Sequence, residues 1–141
     1  MTNRNKKRNI FFIDDENNRT LRWREHLATT FEVIYFSKPI PLQDMQDRII
    51  ADAPVAIIQD IMMQRGSDGT IDIGVGLEVA KNMKDFLVKL RIPFILFSNR
   101  MLREFESEIK ALNYPENILY FKSKPDTGYE QLTIFVRSIL I

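Results

Sequence analysis

VAIIQDIMM, residues 55–63, decides how this chain is read: four apolar positions and Gln59 lead into a lone carboxylate, Asp60. A strand covered on both faces is written as a short continuous apolar run rather than an alternating one. The carboxyl edge of an open parallel sheet is also where ligands collect. The stretch therefore predicts a buried strand that delivers Asp60 to such an edge. An Asp after an apolar run equally opens loops and caps helices, so the decision rests on what the other strands deliver.

Upstream, Ile10 to Ile13 is an apolar run ending in Asp14, Asp15 and Glu16, and Val33 to Phe36 is a second. Downstream, Phe94 to Phe97 ends in Ser98 and Asn99, and Ile118 to Phe121 ends near Lys122 and Lys124. Helical spacing fills the gaps. Asn17 to Thr29 carries a thin apolar face of Trp23 and Leu27 helped by Thr20 and Thr30. After Pro39 and Pro41 come Leu42, Met45, Ile49 and Ile50. Leu77, Ala80, Met83, Leu87 and Leu90 form one helix that Pro93 stops. Leu102, Phe105, Ile109 and Leu112 form another, with Asn113 as a left-handed cap before Pro115. The last helix starts near Tyr129 and buries Leu132, Phe135, Val136 and Ile139. Gln64 to Gly76, with four glycines, reads as a long loop. Strand and helix alternate five times, which predicts an α/β domain: a parallel sheet, helices on both faces, right-handed crossovers.

With 141 residues the chain is long enough for one core. Its 45% apolar and 28% charged residues match a soluble globular protein, and no apolar run approaches the roughly 18 residues of a membrane span. There is no cysteine, which excludes disulfides and thiolate metal sites and makes the cytoplasm the expected compartment. The net charge of +1 exerts no global pull on nucleic acid. Arg4, Lys6, Lys7 and Arg8 make residues 1–8 a basic, flexible arm before a domain over 9–141. No effector segment follows the final helix, so a stand-alone module is expected.

Asp14 with Asp15, Asp60, Ser98 and Lys124 thus stand just past the ends of four of the apolar runs, on what a parallel sheet makes one rim. Two unit charges about 4 Å apart repel by roughly 4 kcal/mol at an effective dielectric near 20. Three clustered carboxylates must therefore take up a proton or a cation. The all-oxygen donor set, with no His or Cys, suits Mg²⁺, which accepts one or two carboxylates and keeps waters or phosphate oxygens. An Asp carboxylate is a competent nucleophile toward phosphorus, with a lysine and a hydroxyl to hold the phosphoryl oxygens.

The ordered motifs IFFIDDE, IIQDIMM, LFSN and FKSKP resemble the receiver domain of two-component response regulators (CheY-like), from about Arg8 to Ile141. The resemblance implies a flavodoxin-like, three-layer (βα)5 sandwich whose parallel five-stranded sheet runs in order 2-1-3-4-5. It implies Asp60 as phosphoacceptor, Asp15 as direct Mg²⁺ ligand, Asp14 as its partner acting through water, and Met62 as the residue whose backbone carbonyl completes the metal site. Ser98 and Lys124 would hold the phosphoryl group, Pro125 would follow through a cis peptide, and Phe121 would be the aromatic switch. Such a domain is a signalling switch rather than an enzyme with an external substrate. It takes its phosphoryl group from a histidine kinase or histidine phosphotransfer protein and signals to a downstream protein target. No nucleic acid or membrane is expected as a partner, and a homodimer is compatible with the pattern.

Two departures from that pattern stand out. Gln64 replaces a proline and the loop after it is longer. Phe121 also lacks the hydroxyl of the frequent tyrosine, which makes its burial easier to satisfy. The altered loop keeps a second expectation in view, a receiver-like interaction scaffold that works without phosphate.

Overall fold

The structure, a computed structural model, describes residues 6–64, 71–72 and 74–140. Five strands, β1 (Asn9–Ile13), β2 (Glu32–Phe36), β3 (Ala56–Asp60), β6 (Phe94–Ser98) and β7 (Leu119–Ser123), pair in parallel in the order β2-β1-β3-β6-β7. Counting only these five, that is the expected 2-1-3-4-5 order. The register sets Ile13 beside Gln59, Asp60 beside Phe97 and Ser98 beside Ser123. The carboxyl ends of β1, β3, β6 and β7 therefore finish on one rim.

Alternation along each strand splits the core in two. Phe11, Ile13, Ile57, Phe94 and Leu96 face the helices α2 (Leu42–Asp52), α3 (Val75–Asn82) and α4 (Lys84–Leu90) through Met45, Ile49, Ala80, Met83 and Leu87. Ile10, Phe12, Ile58, Ile95 and Phe97 face α1 (Asn17–Leu27) and α6 (Tyr129–Ile139) through Trp23, Leu27, Leu132 and Val136. Burial on both faces is why the strands are apolar throughout, and each large side chain so buried contributes about 1.5–3 kcal/mol. Trp23 sets the second layer: its ring meets Phe97 edge-on at 5.1 Å, and its Nε1–H donates to Thr127 O at 2.9 Å.

Several elements differ from the periodicity. The helix read from Leu77 begins at Val75 and breaks at Met83 (φ −97°, ψ 0°) into α3 and α4, yet Ala80, Met83 and Leu87 all stay buried. Apolar spacing reports which face is covered and is blind to a change of backbone angle at one residue. The helix read across Leu102 to Leu112 is a 3₁₀ turn (Leu102–Glu104) followed by α5 (Glu106–Leu112), hinged at Phe105, which is buried while Leu102 is exposed. Asn113 is the left-handed cap expected (φ 54°), and Arg91 (φ 54°) ends α4 in the same way two residues before Pro93. Within the long loop, β4 (Met63–Gln64) and β5 (Ile71–Asp72) pair antiparallel; residues 65–70 and 73 lie outside the described residues.

At the amino end, residues 1–5 of the arm also lie outside the described residues. Of the rest, Lys7 Nζ donates to Ala28 O at 2.6 Å and the Arg8 guanidinium lies 5.8 Å from the Phe31 ring centroid. No described peptide bond is cis, so Lys124–Pro125 is trans; the turn there closes through Asp126 N to Ser123 O (3.3 Å) and Thr127 N to Lys124 O (3.2 Å).

Gly76, in the first turn of α3, holds that helix against the end of β3. Its N–H donates to Ile61 O at 3.0 Å, and a Cβ there would come to 2.5 Å from Ile61 Cα and 2.7 Å from Asp60 O. Both obstacles are backbone, so the helix itself must retreat. Gly76→Ala is expected to cost about 1 to 3 kcal/mol, read as a lowered midpoint in urea unfolding; an unchanged midpoint contradicts this packing.

Candidate functional site

Four strand ends and one buried cation build the site. Lys124, 5% exposed, reaches from just beyond β7 into the rim, where its Nζ lies 2.6 Å from Asp14 Oδ2, 3.4 Å from Glu16 Oε1 and 3.7 Å from Asp60 Oδ1. Its backbone N–H donates to Ser98 O at 2.6 Å, which anchors the β7 end to the β6 end. Asp14, fully buried, accepts from Glu16 N at Oδ1 (2.8 Å), and Asp60 Oδ1 accepts from Met62 N at 3.1 Å. Asp14, Asp15 and Asp60 each place one carboxylate oxygen within 4.8 Å of the others.

The structure thus brings Asp14, Asp15, Asp60 and Lys124 together. Met62 stands beside Asp60, its backbone N–H tied to it and its Sδ 3.0 Å from Arg100 Nε. Ser98 is fully buried one residue past Phe97, the ladder partner of Asp60. Its Oγ accepts from Arg100 N at 3.0 Å, a local turn contact, which leaves the hydroxyl proton to donate elsewhere. Phe121 is half-buried and rests on Phe105, ring centroids 6.3 Å apart, away from the carboxylates.

Burial works against charge in such a pocket. It lifts Asp14 above the ordinary carboxyl range despite the nearby Lys124. Asp60 is pushed up to about 8, first by burial and then by the Asp14 charge, with Lys124 pulling the other way. Burial also disfavours the Lys124 ammonium, but the carboxylates of Asp14 and Asp60 outweigh it and its pKa is raised. Asp60 Oδ2 is buried with no hydrogen-bond partner among the described residues. Such an oxygen is costly unless something outside the chain satisfies it. Three hard oxygen donors with one left open fit a small divalent cation such as Mg²⁺.

Sequence reasoning gave no role to Glu16, Asn99 or Tyr35. Glu16 Oε1 accepts from Asn99 Nδ2 at 2.8 Å and Oε2 faces Arg19 at 3.2 Å, so this acid spans the mouth from the β1 end to the β6 end. Tyr35 donates its O–H to Asp14 O at 2.6 Å. Glu16 and Asn99 directly follow the assigned acids and Ser98, which was the available signal; a tyrosine in an edge strand carries none.

No family model matches the sequence, and no curated relative does. Solved structures do match in fold. A response regulator receiver protein from Sinorhizobium medicae is 20% identical, with a TM-score of 0.69 over 96% of this chain and 95% of that one. The BeF3-activated DrrB receiver domain is 19% identical (TM-score 0.67, 95% and 97%). The chemotaxis response regulator CheY4 of Vibrio cholerae is 15% identical (TM-score 0.65, 95% and 99%). With these structures matched over nearly the whole of each chain, the fold of this protein is that of the CheY-like response regulator receiver domain.

Proposed function

We propose that this chain is a phosphorylation switch of a two-component relay. It accepts a phosphoryl group on Asp60 from a histidine kinase or histidine phosphotransfer protein and signals through a protein contact that depends on that modification. The observation that carries this reading is the buried Lys124 ammonium held between Asp14 and Asp60 while the second Asp60 oxygen stays open. An Asp60 oxygen with no hydrogen-bond partner among the described residues, beside a buried cation, is available as the attacking atom.

In the transfer, an Asp60 oxygen forms a bond to phosphorus as the bond to the donor nitrogen or acyl oxygen breaks and the leaving group keeps the electron pair. Asp14, Asp15, Asp60 and the Met62 backbone carbonyl would hold Mg²⁺, which would supply positive charge against the phosphoryl oxygens. Lys124 would face one phosphoryl oxygen from its place between Asp14 and Asp60, and Ser98 would offer its hydroxyl proton to another. Phe121, resting on Phe105, would be the element that responds. No described helix is long and apolar enough to cross a membrane.

Incubation with Mg²⁺ and a small acyl phosphate should add one phosphoryl mass to the wild-type chain and none to Asp60→Asn. No adduct on the wild type, or an adduct that survives the substitution, overturns the reading and favours the phosphate-independent scaffold.

The pKa shifts give a second outcome. The folded Asp60 carboxyl titrates about 8 against an ordinary 3.8, and Asp14 is raised too, so between those values the folded chain keeps protons the unfolded chain has released. Stability then falls as pH rises. In EDTA, the melting temperature is expected to drop from about pH 5 to about pH 8, and Asp60→Asn to flatten that slope. The raised Lys124 value acts only above this window. Mg²⁺ should stabilise the fold by linkage, more at the alkaline end, where no proton must be displaced. Melting curves that are flat with pH and indifferent to Mg²⁺ contradict the electrostatics described above.

A further inference from the structure

The acidic pair is held in place by a residue on a different strand. Asp14 stands just past the end of β1, and its N–H makes the last ladder contact with β2, to Phe36 O at 3.0 Å. Its carbonyl, already beyond the ladder, is taken by the Tyr35 O–H at 2.6 Å. That carbonyl belongs to the Asp14–Asp15 peptide, whose plane sets the direction in which Asp15 leaves the backbone. Tyr35 in turn is clamped. The Arg24 guanidinium lies over its ring at 3.8 Å, and Arg24 is fastened to α1 by Nε to Thr20 Oγ1 (3.2 Å) and by a terminal N–H to Asn17 Oδ1 (2.6 Å). Thr20 is fully buried and donates to Glu16 O at 2.9 Å. A closed bracket therefore runs from β2 through Tyr35 and Arg24 to the first turn of α1, enclosing residues 14–16.

Charge alone argues against leaving this loop loose. Asp14, Asp15 and Glu16 are consecutive acids beside a fourth, Asp60, and repulsion among them favours splaying outward. Two neutral backbone hydrogen bonds and a stacked cation on the far side oppose that without adding a positive charge to the pocket. The geometry points to Tyr35 as a positioning residue for the divalent-cation ligands: its O–H fixes the Asp14–Asp15 peptide so that the two carboxylates meet Asp60 in the arrangement a small octahedral ion requires. This role rests on the proposed Mg²⁺-dependent function and deepens it.

Metal selectivity tests it. Mg²⁺ demands near-ideal octahedral geometry, whereas Ca²⁺ accepts irregular sets of oxygens at longer distances. Tyr35→Phe keeps the ring, its packing and the Arg24 stack, and removes only the hydroxyl. Calorimetric titration of the full chain should show Mg²⁺ affinity reduced about three- to tenfold, the equivalent of one hydrogen bond, and Ca²⁺ affinity changed by less than about twofold. Arg24→Met, which frees the ring, should shift the Mg²⁺/Ca²⁺ ratio in the same direction by a smaller factor. Equal losses for both ions would mark a general loosening and overturn the positioning role, as would Mg²⁺ binding by Tyr35→Phe at the wild-type affinity. A wild-type chain that binds neither ion removes this role together with the function beneath it, so the two failures are distinguishable.

Discussion

Everything on the carboxyl rim depends on one ammonium group kept out of water. Burying a charge costs several kcal/mol, and a partnered pair repays that only with close geometry and further hydrogen bonds. Lys124 has both: Asp14 at 2.6 Å, Asp60 and Glu16 within 4 Å, and a backbone N–H tied to Ser98 O. Its Nζ joins the ends of β1 and β3, and its backbone N–H ties the end of β7 to the end of β6, so one residue gathers four segments spread along most of the sequence. Without Lys124 the carboxylates of Asp14 and Asp60 would face each other uncompensated, and the Asp60 carboxyl would hold its proton still more tightly.

The same rim is braced from beneath. Gln59 is a polar side chain in a strand otherwise apolar and buried, 1% exposed, and its Nε2 donates to Asp60 O at 3.0 Å and to Met63 Sδ at 3.1 Å. The bond to Met63 reaches the first residue of β4, so the short ribbon grows directly out of the strand that carries Asp60. Gly76 closes the other side by bringing α3 to within backbone contact of Asp60 and Ile61. Gln59 thus ties the Asp60 carbonyl to the first residue of the ribbon, and α3 lies directly against the Asp60 backbone.

How much of this was legible in the sequence follows from what leaves a pattern. The sheet was legible because burial on both faces writes each strand as an apolar run, and the rim because Asp14, Asp15, Asp60, Ser98 and Lys124 each follow such a run. The break at Met83 was not, since the buried face continues through it at unchanged spacing. Leu102 was placed in a helical stripe that the hinge at Phe105 interrupts, leaving it exposed. The pairing of β4 with β5 rests on two residues per strand, too short for periodicity to register. Glu16 to Asn99 and Tyr35 to Asp14 are contacts of side chains with loops from other strands. Contacts of that kind are set by register and topology, and any local window of sequence is silent about them. The basic arm is a mixed case: its charges were plain, but the contacts of Lys7 and Arg8 with the α1–β2 connection need the fold to be seen.

In the switch proposed above, the resting contacts of Ser98 and Phe121 bear on how far one modification would move them. Ser98 Oγ accepts one backbone N–H, and Phe121 makes a tilted contact with Phe105 from a half-buried position. A neutral hydrogen bond is worth about 1 kcal/mol net, and an aromatic pair about as much beyond its buried area. A ligand or modification shifts an equilibrium only by its differential interaction with the two states. In the proposed switch a phosphoryl group on Asp60 would bring nearly two negative charges to within reach of Lys124 and Ser98, which would exceed the worth of either resting contact. Phe121 carries no hydroxyl, so neither burying nor exposing its ring would exchange a hydroxyl hydrogen bond with water, and in that switch apolar area alone would set the balance at that position.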